Sequence, residues 1–119
     1  MTKGAAEGVS DADTTDAITA TATLWLWSGG GSASWHFVTI TGAPAETIHG
    51  EALMRRLETG RRRGFGAVKV CVEIGDTRWD TSIFPHKESG GWLLPIKASV
   101  RKAEGVVAGD AVALTLTLL

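Results

Sequence analysis

Between residues 18 and 27 the chain alternates strictly. Ile18, Ala20, Ala22, Leu24 and Leu26 fall on one face, and Thr19, Thr21, Thr23, Trp25 and Trp27 on the other. A period of two, in residue types that suit a pleated backbone, predicts a long β-strand. Ser28-Gly-Gly-Gly-Ser32 reads as a flexible turn. Trp35 to Ile40 alternates again, with Trp35, Phe37 and Thr39 opposed to His36, Val38 and Ile40. The two runs and their turn predict a hairpin. Beyond Gly42 the period changes. Pro44 suits the first helical position, because its fixed φ is helical and its missing N–H has no bond to make there. The spacing predicts a helix from Pro44 to Glu58, with Ala45, Ile48 and Ala52 on one face, Leu53 and Leu57 beside them, and Gly60 as the stop. Gly50 inside it costs roughly 1 kcal/mol relative to Ala, so this helix depends on packing.

Alternation returns at Val68, Val70, Val72 and Ile74, set against Lys69, Cys71 and Glu73. Gly75-Asp76 turns the chain, and Thr77 to Phe84 is the partner strand of a second hairpin. Gly90-Gly91 opens a strand running to Ile96, in which Pro95 marks an edge or an end. Val100 to Glu104 makes about one helical turn closed by Gly105, and Gly109-Asp110 forms a tight turn. Val112, Leu114, Leu116 and Leu118 mark the last strand. There is no repeat of fixed period. Six to seven strands and one α-helix leave too many edges for an open sheet of this size, so the pattern predicts a mostly β fold closed into a small barrel. Residues 1–16 carry almost no large apolar group and are expected to be a disordered tail ahead of a single barrel domain over residues 17–119.

Composition narrows the function more than the fold. The 119 residues carry a net charge of −1, so no global field draws the chain to nucleic acid or an anionic membrane. The single cysteine, Cys71, excludes an internal disulfide and suits a reducing, cytoplasmic setting. No run of about 18 apolar residues suggests a membrane span, and the N-terminus has no apolar signal region. Five tryptophans without a tyrosine point to a core built from large rings or to an aromatic-lined site.

An ordered set of short motifs spans residues 35–118. It comprises Trp35-His-Phe-Val38, Arg63-Gly-Phe-Gly66 before a valine-rich strand, Trp79-Asp-Thr-Ser-Ile-Phe84, Trp92-Leu-Leu-Pro-Ile-Lys97, and Val100-Arg-Lys-Ala-Glu-Gly105 followed by Gly109-Asp110. In this the chain resembles the domain-of-unknown-function 1905 family of small bacterial proteins. The resemblance implies a double-split type of β-barrel and a cytoplasmic protein, and it imports no reaction. The stretch Leu94 to Arg101, with Gly105 and Gly109-Asp110-Ala-Val112, is also similar to the half-barrel signature of AbrB/MazE transition regulators, which bind DNA as dimers. That pattern encodes a chain path rather than a DNA contact.

Candidate chemistry is sparse. His36, His49 and His86 are far apart in sequence and Cys71 has no second cysteine, so no metal site and no cofactor are expected. Cys71 beside Lys69 is read as a passive strand residue rather than a nucleophile. Arg55, Arg56, Arg61, Arg62 and Arg63 form the one charge cluster. They could contact phosphates, although cations near a helix C-terminus also complement its dipole. Trp25 and Trp27 oppose the aliphatic face and are expected to be covered, with the helix as the candidate cover; left exposed, they would instead mark a ligand or partner site. Trp35, Ser82, Lys97 and Arg101 are the candidate ligand-binding residues, the last three as an anion pocket near Pro95. Arg101 could instead cap the short helix or pair with Asp110. With no legible acid–base or nucleophile pair, catalysis is not expected. Two functions remain. The first is a non-enzymatic binding module, monomeric or weakly dimeric, for a small anionic ligand or protein partner. The alternative is a nucleic-acid-binding regulator, which a contiguous basic face joining the arginines to Lys97 and Arg101 would favour.

Overall fold

A computed structural model describes residues 17–28, 34–59 and 66–119. The expected tail, the glycines of the first turn, the Gly60 stop and Arg61, Arg62 and Arg63 lie outside the described residues. Among the described residues six strands form a closed barrel: β1 (Ile18–Ser28), β2 (Ser34–Ile40), β3 (Val68–Ile74), β4 (Thr77–His86), β5 (Gly91–Pro95) and β6 (Ala111–Leu118). Around the barrel the order is β1-β2-β5-β4-β3-β6, every neighbouring pair antiparallel. Two helices accompany them there, α1 (Gly42–Thr59) and α2 (Ala98–Glu104).

Alternation explains the core. Val112, Leu114, Leu116 and Leu118 of β6 point inward, as do Val70, Val72 and Ile74 of β3 and Val38 and Ile40 of β2. Ile18, Leu24, Ile83, Trp92, Leu94 and Ile96 complete the filling. Burying each such side chain contributes about 1.5–3 kcal/mol, so the barrel interior is a packed core rather than a lumen.

The two longest strands are each shared between two partners. β1 pairs with β6 from Ile18 to Thr23 and with β2 from Leu24 to Ser28. β4 pairs with β3 from Thr77 to Ile83 and with β5 from Phe84 to His86. The chain thus runs β1-β2-α1-β3 and then β4-β5-α2-β6, the same element order twice. Exchanging the two halves reproduces every neighbour relation in the barrel. No sequence period reveals this, because the helices differ in length and the matched strands share phase rather than residues.

Because β2 and β5 are antiparallel neighbours, the helices that follow them cap opposite openings. Ala45 and Ile48 of α1 enter the core at one end, and Val100 of α2 enters at the other. The expected helix begins earlier, at Gly42, because Pro44 still falls in the first turn, where N–H groups have no intrahelical acceptor. Leu53 and Leu57, expected beside the packed face, are exposed. Beyond Ala52 none of the helix's described apolar side chains enters the core. The expected single turn at Val100 starts at Ala98, and β4 continues to His86.

The return from α2 to β6 is held by backbone bonds. Gly105, in the left-handed region, stops α2, and its N–H bonds Arg101 O. The Gly109 N–H donates to Leu24 O at 2.8 Å, and the Leu24 N–H to Asp110 O at 2.9 Å. Asp110 Oδ2 accepts the Val107 N–H at 2.9 Å, so its carboxylate serves the turn and does not pair with Arg101. Gly109 has φ 100°, which a side-chain-bearing residue adopts only under strain. Gly109→Val and Asp110→Ala should each lower the unfolding free energy by about 1–3 kcal/mol in urea titration. Unchanged midpoints would contradict this reading of the turn.

Candidate functional site

In β1 and β2 the inward phase takes up aliphatic residues and leaves the aromatic ones outside. On the outer face of the first hairpin Trp27 stands opposite Trp35, and Trp25 opposite Phe37. The Trp25 and Phe37 ring centroids are 5.4 Å apart at 38°, and those of Trp35 and Phe37 are 6.3 Å apart at 13°. Trp25 Nε1 donates to Thr39 Oγ1 at 2.9 Å, which fixes the inner edge of this cluster. The outer edge is open: Trp27 is 45% exposed and Trp35 53%. The expected covering of these tryptophans by α1 therefore fails for Trp27. The helix is committed to the opening beside Trp92, where His49 packs its ring at 4.9 Å.

The register extends the surface sideways. Phe37 is opposite Pro95, and Thr39 opposite Leu93, which in turn faces Phe84 of β4. Leu93 and Pro95 are half-buried, and Phe84 is 40% exposed. The result is an apolar band across β1, β2, β5 and the end of β4. Of the remaining tryptophans, Trp92 is in the core and Trp79 packs against it. Among the described residues the buried Trp92 indole N–H has no hydrogen-bond partner.

One end of the band is cationic. The Ile96 N–H donates to His36 O at 2.9 Å, carrying the β2–β5 register one residue further. Lys97 is also extended (φ −71°, ψ 160°), so the alternation continues and sets this exposed residue alongside Trp35. Arg101 lies four residues on, one turn up α2, with its Nε donating to Ile96 O at 3.2 Å. Burial, and next the Arg101 cation, hold the His36 imidazole below its ordinary value. The neutral ring is favoured at this rim.

Of the four candidate ligand residues, the structure brings Trp35, Lys97 and Arg101 to one end of the barrel. Ser82 is on the same outer phase as Phe84 but two strands from Trp35, paired with Lys69. No hydrogen bond links Ser82 to Lys97 or Arg101 among the described residues. The sequence does not single out Phe37, Leu93 and Phe84 as site residues, and it raises Trp25 and Trp27 as a site only if they are left uncovered. Its phase marks Trp25, Trp27 and Phe37 as outward, but only the β2–β5 pairing shows that they form one surface with Leu93 and Phe84.

Other candidates come apart. Arg55 and Arg56 are on α1, at the opening opposite Lys97 and Arg101, and Arg55 donates to the carbonyls of Leu118 and Leu119. Cys71 Sγ accepts the Arg78 Nε–H at 3.2 Å, so its cationic neighbour is Arg78 rather than Lys69. His86 bonds Ser89 Oγ at 2.8 Å and approaches Glu88 at 3.4 Å. Among the described residues no three His, Cys, Asp or Glu side chains could hold a metal ion, and no helix is long and apolar enough to cross a membrane. A shallow groove of about 530 Å³ lies on the far wall, over Thr19, Thr21, Thr115 and Glu73. It is open, and small and apolar residues make up the rest of its lining.

No curated protein matches the chain. The family profile described as a domain of unknown function, DUF1905, matches residues 21–116, which include all of β2 to β5, both helices and most of β1 and β6. The match covers most of the chain, and this protein belongs to the DUF1905 family.

Proposed function

We propose that this protein is a non-catalytic binding module that docks a protein partner on the outer face of β1, β2 and β5. The observation that carries this reading is the cross-strand pair Trp27 and Trp35, each about half exposed and backed by Trp25 and Phe37. A contiguous exposed apolar patch is a common mark of an interaction site. Tryptophan is over-represented among the residues that dominate interface energetics. The band follows the outside of a barrel and is not concave. That favours a macromolecular surface over a small molecule, which needs a cleft to bury most of its area. The positions of Arg55 and Arg56 at the far opening speak against a basic face continuous with Lys97 and Arg101, and so against the nucleic-acid reading. The sharing of β1 and β4 between two partners supports a barrel of the double-split type. The lone Cys71 supports a reducing, cytoplasmic setting.

Site-specific photo-crosslinking in cells tests the reading. A photo-reactive phenylalanine analogue in place of Trp27 or Trp35 should give a discrete adduct to the same second protein from both positions. The same analogue at Thr21 or Ala113, exposed on the far wall, should not. No adduct at all, or equal adducts from all four positions, would defeat the proposal.

A further inference from the structure

We infer that the partner presents an acidic, apolar peptide segment, an inference that rests on the docking face just proposed. Three features of that face select such an occupant.

The first is charge. Strands β1, β2 and β5 contain no aspartate or glutamate at all. At the α2 end of these strands stand the cations Lys97 and Arg101, the latter with its Nε on Ile96 O, while the carboxylate of Asp110 at that end is taken up by the Val107 N–H. Neither cation makes an ion pair among the described residues. The nearest carboxylate on α2, Glu104, is turned to β4, where it accepts the Thr77 hydroxyl. The second feature is hydrogen-bond polarity. The Trp27 and Trp35 indole N–H groups have no partner among the described residues, and an indole only donates. Ammonium and guanidinium groups also only donate. The two indoles, the ammonium and the guanidinium are therefore all donors, and together they suit a ligand rich in acceptors. Carboxylates meet that need with charge-assisted bonds, which are roughly twice as strong as neutral ones. The third feature is the ring surface. Trp35 and Phe37 are stacked, 13° from parallel, and with the half-exposed Trp27 they offer apolar contact for large side chains set between the carboxylates.

A single-stranded nucleic acid also combines anions with flat rings. It carries a phosphate at every nucleotide and needs a track of cations along its length. Two cations at one end of the band do not make such a track, and the described arginines of α1 are at the opposite opening. A peptide with a few carboxylates matches the count.

Selection of random ten-residue peptides displayed on phage against the immobilised full chain, depleted on the double variant Trp27→Ala/Trp35→Ala, tests this. The enriched set should be net acidic and carry at least one large apolar residue. A synthetic peptide from that set should bind at least tenfold more weakly to Lys97→Glu, and more weakly as salt is raised. A ten-nucleotide oligo-uridine should not compete with it at about 0.15 M salt, where the Debye length is near 8 Å. An enriched set that is neutral or basic overturns the acidic partner and leaves the docking face standing. Displacement by oligo-uridine overturns the peptide in favour of single-stranded nucleic acid. If no peptide is enriched while crosslinks form at Trp27 and Trp35, the peptide inference fails alone. If neither occurs, the docking face fails with it.

Discussion

Gly91→Ala should lower the unfolding free energy by about 3 kcal/mol or more, among the largest effects of any single methyl group in this chain. Gly91 is buried at the start of β5, against the point where β2 gives way to α1. A Cβ there would overlap the carbonyl oxygen of Ile40 and stand 3.0 Å from both its carbonyl carbon and Thr41 Cγ2. The obstruction is backbone, so it cannot rotate away. Relief requires β5 to part from β2 at the Ile40–Trp92 pair, which joins the two halves of the barrel. The preceding residue supplies the control. Gly90 has φ 74°, but a methyl group added there would meet nothing within 4 Å, so Gly90→Ala carries only the backbone penalty, about 1 kcal/mol. Urea unfolding of the two variants separates the causes. Equal losses would show that close approach is not what Gly91 provides.

Leu24→Ala should cost about 3–5 kcal/mol, and Leu26→Ala less than about 1 kcal/mol. The two leucines share a strand and a phase, but Leu24 is fully buried and Leu26 is 49% exposed. Leu24 sits where β1 leaves β6 for β2, and its backbone is bonded on both sides to Gly109 and Asp110. Truncation there opens a cavity at a place the backbone cannot collapse to fill. Leu26 is opposite His36, on a part of the hairpin with solvent on both faces. Thermal unfolding of the pair checks the contrast, and similar melting temperatures would contradict it.

That pair also marks what the sequence makes legible. Alternation tells which side of a strand a residue takes, and so it identifies the strands, their inward residues and the closure of the sheet. It does not tell where along the strand the barrel ends, so Leu26 reads the same as Leu24. Leu53 and Leu57 pose the same difficulty on α1. Their spacing fits a packed face, but both side chains are exposed. Pairing between distant strands is a further gap. Trp35 and Lys97 are candidates that local reading can name, because each stands beside a hairpin or a helix signal. Their meeting depends on β2 lying against β5, and no turn connects those strands to announce it. The turn at Gly109-Asp110 is legible because the bonds that close it join Asp110 to Val107, three residues away. The arginine cluster is visible as a run of charge, but its two described members belong to a different opening from Lys97 and Arg101.

The placement of β6 between β1 and β3 matters for how the protein is made. Synthesis delivers β1 first and β6 last, and each is the other's neighbour in the finished barrel. Until β6 is complete, the Ile18–Thr23 edge of β1 and the Val70–Glu73 edge of β3 have no ladder partner. Both are rich in β-forming residues, and unpaired edges of this kind invite pairing with other chains. Such a nascent chain is a natural client for chaperones that shield open sheet edges, and overexpression at high synthesis rates should favour inclusion bodies over soluble protein.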